Sequence, residues 1–101
     1  VKEAMNTKEK ILKTLRALKQ EIMTDYKVKE IGVFGSVIRE ELCETSDIDI
    51  LVDFEEGADL FNLVGLALFL EERLDQKVDV VPKRALRKEL KESVLKEVVS
   101  I

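Results

Sequence analysis

Two features of this 101-residue chain have the residue types and spacing for chemistry: Gly35-Ser36 and, after ten intervening residues, Asp47-Ile48-Asp49. In an extended strand, residues two apart point to the same side. Asp47 and Asp49 are therefore expected to present their carboxylates together, while Ile48, Ile50, Val52 and Phe54 face a core. Two carboxylates a few ångströms apart repel unless a proton or a cation neutralises them, and all-oxygen ligation suits Mg²⁺.

A pair of Mg²⁺ ions about 3.5–4 Å apart can clamp the attacking and leaving oxygens of an in-line phosphoryl displacement, which calls for a third acid. Asp53 lies four residues beyond Asp49, roughly 13 Å along a strand, too far to share the cluster. Asp79, within Lys77-Val78-Asp79-Val80-Val81, can meet the pair if its strand is the neighbour, since adjacent strands lie about 4.8 Å apart. The candidate metal and catalytic set is thus Asp47, Asp49 and Asp79, with Asp79 available as the base that takes the proton of an acceptor hydroxyl.

Gly35 lets the backbone approach a phosphate closely, and the helix start that follows it offers unpaired N–H groups. Ser36 adds a hydroxyl. Arg39, three residues on, can reach a triphosphate or departing pyrophosphate. Blander readings stand beside these. Gly-Ser can be a capped turn, Asp-x-Asp a solvated strand face, and Arg39 a surface ion-pair partner of Glu40, Glu41 or Glu44. Cys43 has no second Cys and no His to make a metal or nucleophilic site with it.

The elements that must position these groups follow from periodicity. Thr7 can cap an amphipathic helix to about residue 24, with Ile11, Leu12, Leu15, Leu18, Ile22 and Met23 at helical spacing. Val28 to Phe34 alternates as a strand and ends at the Gly35-Ser36 turn. Val37 to Leu42 suits a short helix, and Ile48 to Phe54 a second strand. Leu60 to Leu74 is a helix apolar around most of its girth, expected to be buried on two sides. Lys77 to Val81 is a third strand closed by Pro82, and Ala85 to Val99 a last helix. The pattern predicts one domain of the α/β (α+β) class: a small mixed sheet flanked by helices, with a catalytic core over about residues 28–101.

Composition narrows the function. A net charge of -4 argues against free-standing nucleic-acid binding, which needs basic surface. A nucleotide held through Mg²⁺ meets no such objection. With a single cysteine, no signal-like segment and no apolar run long enough to span a bilayer, the expectation is a cytoplasmic protein that does not engage membranes.

Gly35-Ser36, Asp47-Ile48-Asp49 and Asp79 resemble the signature of the DNA polymerase β-like nucleotidyltransferase superfamily: Gly-Ser, ten residues, Asp-x-Asp, then a third Asp on a later strand. The context Gly-Ser-x-x-Arg, followed by Ser46-Asp47-Ile48-Asp49-Ile50-Leu51-Val52-Asp53-Phe54, is similar to the minimal nucleotidyltransferase branch, the MntA-type antitoxins. The resemblance runs from about Val28 onward. It implies ATP as substrate, Mg²⁺ as cofactor, and a HEPN-domain toxin as partner in a hetero-oligomer, the toxin being silenced by transfer of AMP to a tyrosine. Ile38 and Glu40 depart from the Ala and Gly common in the branch, and Glu40 is expected to point to solvent. Two other functions remain open from the residues: an antitoxin that acts by occlusion alone, and a nucleotidyltransferase for a small molecule or RNA.

Overall fold

A computed structural model describes residues 7–39 and 47–101. Helix α1, Thr7–Asp25, buries Ile11, Leu12, Leu15 and Ile22 along one face and turns its Lys, Arg and Glu residues outward. Strand β1, Val28–Phe34, follows after a turn in which Lys27 takes a left-handed φ of 55°. Strand β2, Ile48–Phe54, pairs antiparallel with β1, and β3, Val78–Pro82, pairs parallel with β2.

A parallel pair cannot be joined by a hairpin and needs a crossover. Helix α2, Leu60–Leu74, provides it. Its start is fixed by a reciprocal capping box: Asn62 N–H donates to the Asp59 carboxylate at 3.1 Å, and Asp59 N–H donates to the Asn62 side-chain oxygen at 2.9 Å. Its end is turned by Asp75 in the left-handed region, a conformation that Asp tolerates better than most residues. The Glu71 carboxylate then accepts from Val78 N–H at 3.2 Å, fastening the helix to the strand that carries Asp79.

Helix α3, Lys88–Glu97, leads into a two-residue strand β4, Val99–Ser100, which pairs antiparallel with β1. The mixed sheet has the order β3-β2-β1-β4. Its core face joins Val33, Ile48, Ile50 and Val52 to Leu15 and Ile22 of α1 and Leu66 and Leu70 of α2, all fully buried. Strand alternation sends Asp49 and Asp79 to the other face. The ring of Tyr26 lies 5.3 Å from that of Phe69, so the end of α1 is also tied to α2.

The expected class and strand positions match this fold; the departures are local. Helix α2 is buried on one side, not two: Phe61 is 86% exposed and Leu68 62%, with Leu60 and Val64 beside them. Pro82 belongs to β3 instead of closing it; β3 is an edge strand, where a missing N–H is tolerated. The last helix is shorter than Ala85 to Val99, being preceded by a 3₁₀ turn at Lys83–Ala85 and replaced by β4 at its end. After β1 the chain makes a 3₁₀ turn, Gly35–Val37, in place of the start of a helix at Val37. The part of that expected helix beyond Arg39 lies outside the described residues, as do Cys43, Glu44 and Ser46. Among the described residues no helix is long and apolar enough to cross a membrane.

The two faces of α2 should respond differently to mutation. Leu66→Ala removes a fully buried side chain and is expected to cost roughly 2–5 kcal/mol. Leu68→Ser, on the exposed stripe, should stay within about 0.5 kcal/mol. Urea unfolding of both variants measures the contrast.

Candidate active site

Register brings the two halves of the motif together. Phe34, the last residue of β1, pairs with Asp49 of β2, and Asp49 in turn pairs with Asp79 of β3. The Gly35 turn therefore sits at the same sheet edge as both acids, although they are far apart in sequence. Asp47 stands one residue before β2 and is exposed, so it lies at the mouth of the strand. Next to it, Ile48 N–H donates to the Lys77 carbonyl at 2.9 Å, joining the entries to β2 and β3.

Gly35 is required here on two counts. Its φ of 76° is left-handed, and a Cβ at this position would overlap the Asp49 carboxylate. The turn is anchored from beneath by Val37, which is buried, and by Ile38, which packs against the core. The Ile38 departure from the branch pattern is thus taken up by the core. Arg39 N–H donates to the Gly35 carbonyl at 3.1 Å, so the whole Gly35–Arg39 segment forms one closed turn. Ser36 is half-buried within it.

Asp49 is the strained member of the acid set. Burial raises its carboxyl above the usual range, and the charges of Asp79 and Asp47 raise it further, while Arg39 pulls it back. An unneutralised carboxylate in this setting is costly, and a hard cation relieves it. No three acids among the described residues already stand as a cluster able to hold one ion. Asp49 and Asp79 are brought together by strand register, with Asp47 at the mouth of β2, and the three do not form a closed cage. That still fits Mg²⁺, which commonly takes only one or two carboxylates and completes its shell with water and substrate phosphate oxygens.

Glu40, Glu41 and Glu44, the expected ion-pair partners of Arg39, lie outside the described residues. Among the described residues Arg39 meets Glu97, at the end of α3, whose Oε1 lies 2.8 Å from the guanidinium while its Oε2 accepts from Gly35 N–H at 2.7 Å. Burial pushes the Glu97 carboxyl up, but the Gly35 N–H bond and Arg39 outweigh this and hold it below the usual range. Sequence reasoning missed Glu97, because its two partners lie 58 and 62 residues away and no local pattern marks it.

Comparison with known proteins places this geometry. The family model of the nucleotidyltransferase domain matches residues 10–101. The chain belongs to the nucleotidyltransferase domain family. It is 46% identical over 98 residues to the protein adenylyltransferase MntA of Thermococcus cleftensis, covering 97% of this chain and 99% of that protein. A solved structure bearing the name of a minimal nucleotidyltransferase superposes with a TM-score of 0.77 at 37% identity, covering 99% of this chain and 100% of the other. A third relative is the complex of a tri-AMPylated Shewanella oneidensis HEPN toxin with an MNT antitoxin. It matches with a TM-score of 0.59 at 30% identity, covering 93% of this chain and 67% of that one.

For this nucleotidyltransferase domain the raised Asp49 value has a definite sign. The folded state holds the Asp49 proton more tightly than the unfolded chain does, so its contribution to stability is full below the ordinary aspartate range. That contribution is lost as pH rises through the raised value. In magnesium-free buffer, Asp49→Asn should therefore melt above wild type at neutral pH, and the gap should close on acidification. Thermal melts of the two proteins across that range check it. Gly35→Ala should lower the melting temperature at every pH, since it combines a strained φ with a clash.

Proposed function

We propose that this chain, as a single domain, is a protein adenylyltransferase that moves AMP from ATP to a tyrosine hydroxyl of a HEPN-domain toxin, and so serves as the antitoxin of the pair. The observation that carries the reading is the register Phe34–Asp49–Asp79, which supports a phosphate-facing turn and two acids acting on one reacting centre. Support for the donor and acceptor comes from the relatives: one is named a protein adenylyltransferase, and another is an MNT antitoxin in complex with an AMPylated HEPN toxin.

In this mechanism the Gly35–Arg39 turn binds the triphosphate, with Ser36 donating its hydroxyl and Arg39 its charge to phosphate oxygens. Asp47, Asp49 and Asp79 would hold Mg²⁺. Bound there, the cation neutralises phosphoryl charge and orients the departing group. Asp79, exposed at the edge strand, accepts the proton as the acceptor oxygen attacks the α-phosphorus. A new P–O bond forms to the acceptor, the bond to the bridging oxygen breaks, and pyrophosphate leaves. Such a reaction belongs in the cytoplasm, where ATP is at hand.

The test is transfer of label from α-labelled ATP to a co-expressed HEPN partner in the presence of Mg²⁺. Wild type should label the partner. Asp47→Asn and Asp49→Asn should each lose at least roughly a hundredfold in rate, the scale expected when a charge-stabilising group is removed, and chelation should abolish labelling. If wild type neutralises a toxin without labelling any protein, and the Asp variants protect cells as well as it does, the domain acts by occlusion and the adenylyl-transfer reading is wrong.

A further inference from the structure

Glu97 is absorbed by none of the roles above, yet its carboxylate touches two parts of the phosphate-facing turn. One oxygen accepts from Gly35 N–H at 2.7 Å, and the other meets the Arg39 guanidinium at 2.8 Å. The fold delivers it there. Val99 and Ser100 pair with Val33 and Gly32 of β1, so the residue that closes α3 arrives just where β1 gives way to the turn. The approach is close: a Cβ on Gly32 would meet the Val98 side chain at 2.7 Å and the Val99 carbonyl at 3.0 Å. Glu97 is itself only 24% exposed, against 50% for Arg39. The carboxylate is therefore the fixed member of the pair and the long arginine the one being held.

We propose that Glu97 is a positioning residue for nucleotide binding, its carboxylate holding the Gly35 backbone and the Arg39 guanidinium in the arrangement that receives a triphosphate. The proposal rests on the nucleotide-transfer reading above. An arginine carries several rotatable bonds, and ordering it at the moment of binding costs affinity; a carboxylate that orders it beforehand removes that cost. A guanidinium offers its donors in a fork, so one edge can meet a carboxylate while the group still faces an anion on another side. The Gly35 N–H bond fixes the turn from the other end, with Asp49 directly beside it.

The test is isothermal titration of the magnesium complex of α,β-methylene-ATP, an analogue whose α–β bridge cannot be cleaved, into wild type, Glu97→Ala, Glu97→Gln, Arg39→Ala and the Arg39→Ala/Glu97→Ala double variant. Glu97→Ala should weaken binding about 10-fold, the scale of one charge-assisted hydrogen bond. Glu97→Gln keeps an oxygen acceptor for Gly35 N–H but not the charge, and should lie between Glu97→Ala and wild type. In the Arg39→Ala background, Glu97→Ala should add much less than it does alone, because the two residues act as one unit. Unchanged affinity in Glu97→Ala overturns the proposal, as does tighter binding, which would make Glu97 a competitor of the phosphates; full additivity with Arg39→Ala does so too. Amide hydrogen exchange in the ligand-free proteins separates this from failure of the nucleotide reading. Slow exchange at Gly35 in wild type and fast exchange in Glu97→Ala support the brace without any nucleotide, and equal rates overturn it. A wild type that binds no nucleotide despite a protected Gly35 amide would instead count against the nucleotide reading.

Discussion

The structure depends on the pairing register of three strands. A shift of one residue between β1 and β2 would reverse which side chains face the core, because strand side chains alternate with period two. With β1 kept in place, Ile50 and Val52 would then lose their burial, and Asp49 would be driven under α1 and α2. The hydrophobic face thus holds the acids in place: Ile48, Ile50 and Val52 are fully buried, and Asp49 lies on the opposite side because they are. Parallel pairing of β2 with β3 extends the same logic to Asp79, whose partner across the ladder is Asp49.

That placement sets stability against function. A carboxylate half-removed from water and facing two others is unfavourable unless something neutralises it. The surrounding structure compensates locally. Arg39 lies close enough to lower the Asp49 value, and Glu97 holds Arg39 while its own charge opposes that lowering. The charges around Asp49 therefore alternate outward from the acids to Arg39 to Glu97, and a polyanion with its counter-cation would enter a field already partly balanced. A wholly apolar replacement of the acids would fold at least as readily, which makes their presence hard to explain by stability alone.

Much of this was legible in the sequence because local physics decided it. β1 and β2 read correctly from end to end, since alternation of Ile and Val with charged residues has one solution on a half-buried sheet. The Gly-Ser and Asp-x-Asp pair were joined instead by the chemistry of their residues and by the family resemblance, and the register puts Gly35 next to Asp49. What escaped was decided by distant contacts. Val98 and Val99 continue the apolar stripe of α3, so the stretch read as helix. Only pairing with β1 makes Val99–Ser100 a strand, although the β-branched run before Ser100 was a signal that could have been weighed. α2 was over-read: apolar residues around its girth suggested burial on two sides, but among the described residues it packs on one sheet face and α1 and leaves Phe61 and Leu68 exposed.

Those misread residues matter because the site depends on them. Glu97 reaches Gly35 only if the chain leaves α3 at that point and enters β4. The backbone carries this out: Val98 N–H closes the last helical turn on the Val94 carbonyl at 2.9 Å, and Ile101 N–H then donates to the Ile31 carbonyl, also at 2.9 Å. Had the helix run on to Val99, Glu97 would be one more charged position on an exposed helix, beside Glu92 and Lys96, whose own pair at 3.9 Å is too exposed to fix anything. A two-residue strand contributes little to the sheet by itself. Its effect is to stop α3 at the position where the last carboxylate meets the Gly35–Arg39 turn.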